Sequence, residues 1–338
     1  MTMKTRELFS KDPLAWKLLN NGVSNNNTSD EDLIRYELQT FVCEGEYFNG
    51  ITNILGSFLG CHGAQQNAAW VSGFFGCGKS HLVKVLRYLW KDSEFPDGQR
   101  PRAIAQLPDD IQEQLKELSA LGVSGAGLHS AGGTLKSEMG STYLRVLGIV
   151  FGSVGLPKTV PLARLMMDLR DDGTLDAIRA SLRAQKQDEK LAFNRPYSNK
   201  YFLAAYVATH PDIGDAAAAS KALQADYPPA LREVSIDEVM TDVRRALSRK
   251  GVLPKTLIVL DEAQAYINND PDISAELQEI TEACSTMLDG AVMIVATGQS
   301  AMIDTPALQR LMGRFRVKTH LKDTDVERVV RRGVLHTK

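Results

Sequence analysis

"GFFGCGKS", residues 73–80, decides how the rest of the chain is read. Gly73 and Gly78 stand five apart, and Lys79 and Ser80 close the run. This is the spacing of a phosphate-binding loop. Glycine leaves φ unrestricted, so the backbone of Gly73, Phe74, Phe75, Gly76, Cys77 and Gly78 can turn its N–H groups inward around an anion. Lys79 would reach the β and γ phosphates, and the Ser80 hydroxyl would ligate Mg²⁺. A helix starting at Ser80 and His81 would offer its positive end to the same phosphates. His81 reads as helix surface rather than as a catalytic group. Cys77 reads as a small filler whose thiol leaves the loop open to alkylation.

The flanks have the expected context. "AAWVSG", 68–73, is a short apolar strand, and "SHLVKVLRYLW", 80–90, carries apolar residues at helical spacing. Far downstream, "KTLIVLDE", 255–262, is an apolar run closed by two acids. Asp261 at the end of such a buried strand would hold Mg²⁺, and Glu262 would polarise an attacking water. The alternative is a pair of acids capping the next helix. "AVMIVATGQ", 291–299, is a second such run, with Thr297 and Gln299 at its tip. In a parallel sheet that tip borders the phosphate crevice, where either residue could orient water or sense the γ-phosphate. A polar strand end meeting solvent accounts for each of them equally well. Arg310 and Arg314 sit four apart before "FRVKTHL", 315–321, which alternates as an edge strand does. One reading donates an arginine to a neighbouring subunit's γ-phosphate. The other is a pair of surface cations at a helix C-terminus.

Apolar strands separated by helices indicate a parallel sheet covered on both faces, hence an α/β class. Further helices are expected at about 31–42, capped by Thr28 or Ser29, at 46–60 and at 109–121. Residues 127–134 read as a short strand plus turn. Between 138 and 250 helical patterns dominate, at 143–154, 162–169, 175–191, 201–209, 213–224 and 236–248, making a large helical insertion. Tyr47 and Phe48 are candidates for adenine contact, with core packing the alternative.

The bulk numbers exclude several classes. The chain has 338 residues and a net charge of −2, so it carries no overall polyanion-binding signature. Four cysteines without a C-x-x-C pair and six histidines without H-E-x-x-H leave no disulfide framework and no readable metal cluster. No apolar run is long enough to span a bilayer and no signal-peptide pattern opens the chain, so a cytoplasmic protein without membrane contact is expected. The segment 310–338 holds nine basic against three acidic side chains. It reads as a solvated face, with nucleic acid as the alternative.

The phrases "VSGFFGCGKSHLVKVLRYLW", "GLHSAGGTL", "TLIVLDEAQAYI", "VATGQSA", "LQRLMGRFRV" and "LKDTDVERVVRR" together resemble the N-terminal ATPase module of the BREX phage-defence P-loop proteins, the BrxC/PglY family. Their order is also similar to that of AAA+ ATPases at large, replication initiators included. The resemblance runs from near residue 5 to the end and implies an AAA+ core with a five-stranded parallel sheet. It places Arg314 as an arginine finger with Arg310 as its companion, and Thr297 or Gln299 as the first sensor. It implies ATP and Mg²⁺, an ATP-dependent homo-oligomer, and partners among other BREX proteins, including a DNA methyltransferase, with any DNA contact indirect. Family members are much longer, so the chain reads as an N-terminal fragment. The expected division is a helical segment at 1–66, a core at 67–137 and 251–322, the insertion at 138–250, and the start of a truncated lid at 323–338. Cys77 departs mildly from the small residue frequent in the family loop. Two other readings stay open: a nucleotide-gated scaffold with negligible turnover, and an initiator-like DNA-binding ATPase.

Overall fold

A computed structural model describes residues 30–61, 67–230, 232–299 and 306–322, with no side-chain description for 306–308. The expected lid at 323–338, most of the basic tail, and the first 29 residues lie outside the described residues. The chain divides into two compact units. One spans Met1–Ser137 and Ser248–Lys338, and the other Glu138–Leu247.

The first unit is built on five strands: β1 (Ala68–Gly73), β2 (Leu128–Thr134), β3 (Lys255–Asp261), β4 (Val292–Gly298) and β5 (Val317–Leu321). Their order is β2-β3-β4-β1-β5 and every pairing is parallel. The 127–134 stretch is a full strand rather than a strand and turn, because each of its residues from Leu128 to Thr134 has a partner on β3. As its alternation indicated, β5 is an edge strand, with Val317, Thr319 and Leu321 buried and Lys318 and His320 exposed. The strands β1, β3 and β4 are buried along almost their whole length, as strands covered on both faces must be.

One face packs on α1 (Glu31–Gln39), α2 (Gly45–Leu59), α3 (Lys79–Lys91), α4 (Pro101–Ile104) and α5 (Asp109–Val123). Ala69, Val71, Leu257, Val259, Met293, Val295 and Leu321 share a single core with Leu38, Ile51, Leu55, Leu82, Leu86, Trp90 and Leu115 from these helices. Helices α1 and α2 thus belong to the same unit as the sheet. The cap of α1 is Asp30 rather than Thr28 or Ser29: its carboxylate accepts from the Leu33 N–H at 3.2 Å.

The second unit is helical: α6 (Thr142–Ser153), α7 (Val160–Asp171), α8 (Leu175–Ala184), α9 (Glu189–Asn194), α10 (Lys200–Thr209), α11 (Ala216–Asp226) and α12 (Ile236–Leu247). The expected helix 175–191 is two. Lys186 takes a left-handed φ of 52°, and Asp188 then caps α9 by accepting from the Leu191 N–H at 2.8 Å. The helix expected from 213 starts at Ala216, capped by Asp215, after a single 3₁₀ turn over Pro211–Ile213.

The sheet's other face meets α13 (Ala263–Ile267) and α14 (Pro271–Met287), and α15 (Pro306–Met312) packs on α14. Helix α13 is a single turn, too short for helical periodicity to show.

Candidate functional site

Parallel strands bring their C-terminal ends to one edge of the sheet, and the crevice opens there where the strand order switches. Here β1 lies between β4 and β5, and the register sets Val71 beside Thr297 and Leu260 beside Ala296. One residue further, β3 and β4 release Asp261 and Gly298 into a common cavity, which the loop after β1 also lines. Its volume is about 370 Å³, and its walls include Lys79, Ser80, Asp261, Glu262, Gln264, Thr297 and Gln299. Phe75, Gly76, Gly78 and His81 line it as well.

The loop between β1 and α3 is set by backbone sterics. Gly73, Gly76 and Gly78 have φ of 154°, 83° and 84°. At Gly78 the constraint is double, because a Cβ would also stand 2.5 Å from the Tyr47 hydroxyl oxygen. The Lys79 ammonium folds back over its own loop, donating to the carbonyls of Gly73 at 2.8 Å and Phe74 at 2.7 Å. Phosphate oxygens offer stronger acceptors at the same place. Phe75 is 85% exposed at the cavity rim, and Phe74 is 38% exposed.

Cys77 is buried, with Sγ 3.8 Å from Lys79 Nζ. Burial pushes its thiol pKa up, against the opposing pull of Lys79. The filler expectation agrees with this, whereas the expected alkylation sensitivity does not, because a buried thiol with a raised pKa supplies little thiolate. His81 is not helix surface. Its Nε2 lies 3.2 Å from the Glu37 carbonyl oxygen, and its ring stands edge-on to Phe41 at 5.5 Å. A carbonyl only accepts, so Nε2 carries the proton, and burial lowers the ring's pKa. Tyr47 is buried and donates to the Cys77 carbonyl oxygen at 2.5 Å. The core-packing expectation holds, since the ring belongs to the buried core cluster, and Tyr47 does not line the cavity; the bond to the loop backbone comes in addition.

The acids sit where β3 ends. Asp261 is 4% exposed, and its Oδ1 accepts from the Thr297 hydroxyl at 2.6 Å and from the Glu262 N–H at 3.1 Å. The Glu262 N–H also donates to Thr297 Oγ1 at 2.8 Å. Glu262 itself has φ 54° and ψ 29°, a left-handed backbone that a glutamate adopts at a cost. Its carboxylate is exposed to the cavity while its backbone turns the chain into α13. Thr297, almost fully buried, thus holds the two acids rather than facing open space. Gln299 is exposed at the rim.

Gln264 was not singled out by the sequence. It is 3% exposed, lines the cavity, and accepts the Gln299 N–H on its Oε1. Its Nε2 is buried without a hydrogen-bond partner. The close approach needs Gly298, where a Cβ would meet Gln264 Oε1 at 2.5 Å and the Trp70 ring at 2.4 Å. The only sequence signal was its place in "DEAQ", in the first turn of the helix that follows the two acids.

Arg310 and Arg314 do not line the cavity. Phe315 is buried edge-on against Trp70 at 5.2 Å, which turns Arg314 outward. Arg314 Nε pairs with Glu282 Oε1 on α14 at 2.6 Å, both side chains remaining partly exposed. Arg310 lies exposed in the last turn of α15. Among the described residues lining the cavity, Lys79 is the cation.

A larger cavity, about 630 Å³, lies within the helical unit. Its arginines are already matched: Arg164 with Asp242 at 2.8 Å, Arg232 with Glu238 at 2.6 Å and Arg245 with Asp168 at 2.7 Å. Size alone favours it, but the smaller cavity combines an ammonium, a hydroxyl, two carboxylates and a glycine-rich loop, which is the set that phosphate chemistry needs.

The oxygen donors fit a divalent cation. Ser80 and Asp261 offer a hydroxyl and a carboxylate, the hard ligands Mg²⁺ takes alongside phosphate oxygens and water. Among the described residues no cluster of histidines, cysteines and carboxylates forms a metal cage, and no helix is long and apolar enough to cross a membrane. No family model matches the chain.

Proposed function

We propose that the first unit binds ATP with Mg²⁺ and hydrolyses it, as a P-loop ATPase of the AAA+ type. The observation that carries this reading is one cavity lined by Lys79, Ser80, Asp261 and Glu262, drawn from elements almost 200 residues apart in sequence.

In this reading the loop amides and Lys79 bind the β and γ phosphates. Ser80 and Asp261 hold Mg²⁺, which supplies charge neutralisation at the phosphate oxygens. Glu262 orients the attacking water and takes its proton. Thr297 keeps both acids in place through its hydroxyl, and Gln299 at the rim stands where the γ-phosphate side of the site opens. Lys79 alone leaves the developing charge incompletely neutralised, so a cation from a second copy, Arg314 with Arg310 beside it, completes the site. The biological setting we propose is BREX phage defence, with the nucleotide state governing assembly with other defence proteins, a DNA methyltransferase among them. The resemblance of the six phrases supports that setting.

A second reading, a nucleotide-gated scaffold with negligible turnover, is favoured by the pairing of Arg314 with Glu282 away from the cavity. Native mass measurement of the parent and Glu262→Gln with ATP and Mg²⁺ separates the two. ADP accumulating on the parent and ATP retained by the variant supports hydrolysis, while ATP retained by both supports the scaffold. A Lys79→Ala variant should bind neither nucleotide. Parent-like hydrolysis by both variants would show that this cavity is not the site.

A further inference from the structure

The Tyr47 hydroxyl has a use that neither a packing residue nor an adenine contact has. It lies 30 positions before Cys77 in sequence, on the first turn of α2, and donates to the Cys77 carbonyl oxygen at 2.5 Å. The ring is 4% exposed and is braced edge-on by Phe41, centroids 6.1 Å apart. Phe41 in turn stands edge-on to His81 at 5.5 Å.

A trans peptide is planar, so its C=O and N–H point in opposite directions. Tyr47 takes the Cys77 carbonyl on the core side of the loop. The N–H of the same peptide, which belongs to Gly78, therefore faces the other way. That side is the cavity, which Gly78 lines and Tyr47 does not. The fit admits no side chain at 78, since a Cβ there would lie 2.5 Å from the hydroxyl oxygen. Without the hydroxyl, the peptide has nothing on the core side to hold its carbonyl, and a rotated peptide would turn an acceptor toward the anion.

We propose that Tyr47 is a positioning residue of the phosphate loop: it anchors the Cys77–Gly78 peptide so that the Gly78 N–H is presented to a diphosphate group. The proposal rests on the phosphate-loop reading above and deepens it. It names the recognised class as ligands with at least two linked phosphates, because the anchored amide lies beside Lys79 at the inner end of the loop. A nucleoside monophosphate gains little from it.

The test is Tyr47→Phe, which keeps the ring and its packing and removes one hydroxyl. Binding of ADP and inorganic pyrophosphate should weaken roughly three- to tenfold, the size of one lost neutral hydrogen bond. Binding of AMP should stay within twofold of the parent, and the thermal midpoint should stay close to the parent's. The Gly78 amide resonance should shift with no ligand present. Unchanged pyrophosphate affinity with an unchanged Gly78 amide would overturn the proposal. Equal weakening toward AMP and pyrophosphate would overturn it too, because that is the signature of a general loosening. If the parent binds no phosphate ligand, the phosphate-loop reading fails. The Gly78 amide then still decides whether Tyr47 orients this peptide.

Discussion

The Thr297 hydroxyl stands 2.6 Å from Asp261 Oδ1 and, through its oxygen, 2.8 Å from the Glu262 N–H. One side chain on β4 thereby fixes a carboxylate and the backbone of its neighbour on β3. Hydroxyl hydrogens donate once, so the donor of Thr297 is committed to Asp261. Its effect on chemistry passes through the two acids.

Replacing Thr297 by Val removes that donor while keeping the shape. Turnover of ATP should fall ten- to a hundredfold, the range typical for losing a group that orients a metal-ligating carboxylate. Stability should fall by about 1–2 kcal/mol, since a buried carboxylate loses a partner. Thr297→Ser should recover most of both. Steady-state hydrolysis at saturating ATP, with urea unfolding beside it, reads the two effects separately. Parent-like turnover in Thr297→Val would remove Thr297 from the site.

Glu262 combines a proposed catalytic carboxylate with a left-handed backbone at φ 54°. A non-glycine residue in that region costs about 1–2 kcal/mol. Glu262→Gly should therefore be more stable than the parent by about 1 kcal/mol and inactive, whereas Glu262→Gln should be inactive at parent stability. A destabilised Glu262→Gly would show that the turn stores no strain.

These residues also mark what the sequence could and could not disclose. The loop at 73–80 and the acids at 261 and 262 were legible because their spacing is local and their strand context repeats within a few residues. Gly78 was legible as a flexible residue, yet its second constraint, the Tyr47 hydroxyl, comes from 31 positions upstream. Gln264 and His81 were misjudged or missed for the same reason, since their partners Gln299 and Glu37 lie 35 and 44 residues away. The split of 175–191 turned on one left-handed lysine, Lys186, and helical periodicity carries no sign of it because lysine also suits a helix interior.

Arg314 and Glu282 form an ion pair between side chains 45% and 39% exposed. Such a pair contributes at most about 1 kcal/mol, so Arg314→Ala should fold with near-parent stability. If Arg314 completes a neighbouring copy's site, turnover should drop by about a thousandfold. Mixing Arg314→Ala with Lys79→Ala should then restore part of the activity, because each variant supplies what the other lacks. An inactive mixture that still assembles with ATP would assign Arg314 to the α14 surface alone.

Lys84 and Glu37 pair at 2.6 Å with side chains 0% and 2% exposed, one turn beyond the loop. Their burial makes each dependent on the other. Lys84→Met alone should destabilise the first unit by about 3–5 kcal/mol, because it strands a buried carboxylate. The double variant Lys84→Met with Glu37→Leu should regain most of that loss. Urea unfolding of the single and double variants measures the difference, and additive losses would show that the pair is not coupled.

His129, at the start of β2, is 3% exposed, and its pKa is lowered from 6.5 to about 4. Burial is the main cause, reinforced by Lys91, Arg249 and Arg87. The unfolded chain takes up a proton near pH 6.5 that the folded chain refuses until near pH 4. Between those values the unfolded state binds more protons, so stability falls as the pH falls. The loss from this one group should be on the order of 2 kcal/mol at pH 5 relative to pH 8. His129→Gln keeps a neutral polar side chain and should remove that part of the slope. Urea unfolding of parent and variant at pH 8 and pH 5 is the measurement. Identical slopes would show that the folded state accommodates the imidazolium beside its three cationic neighbours.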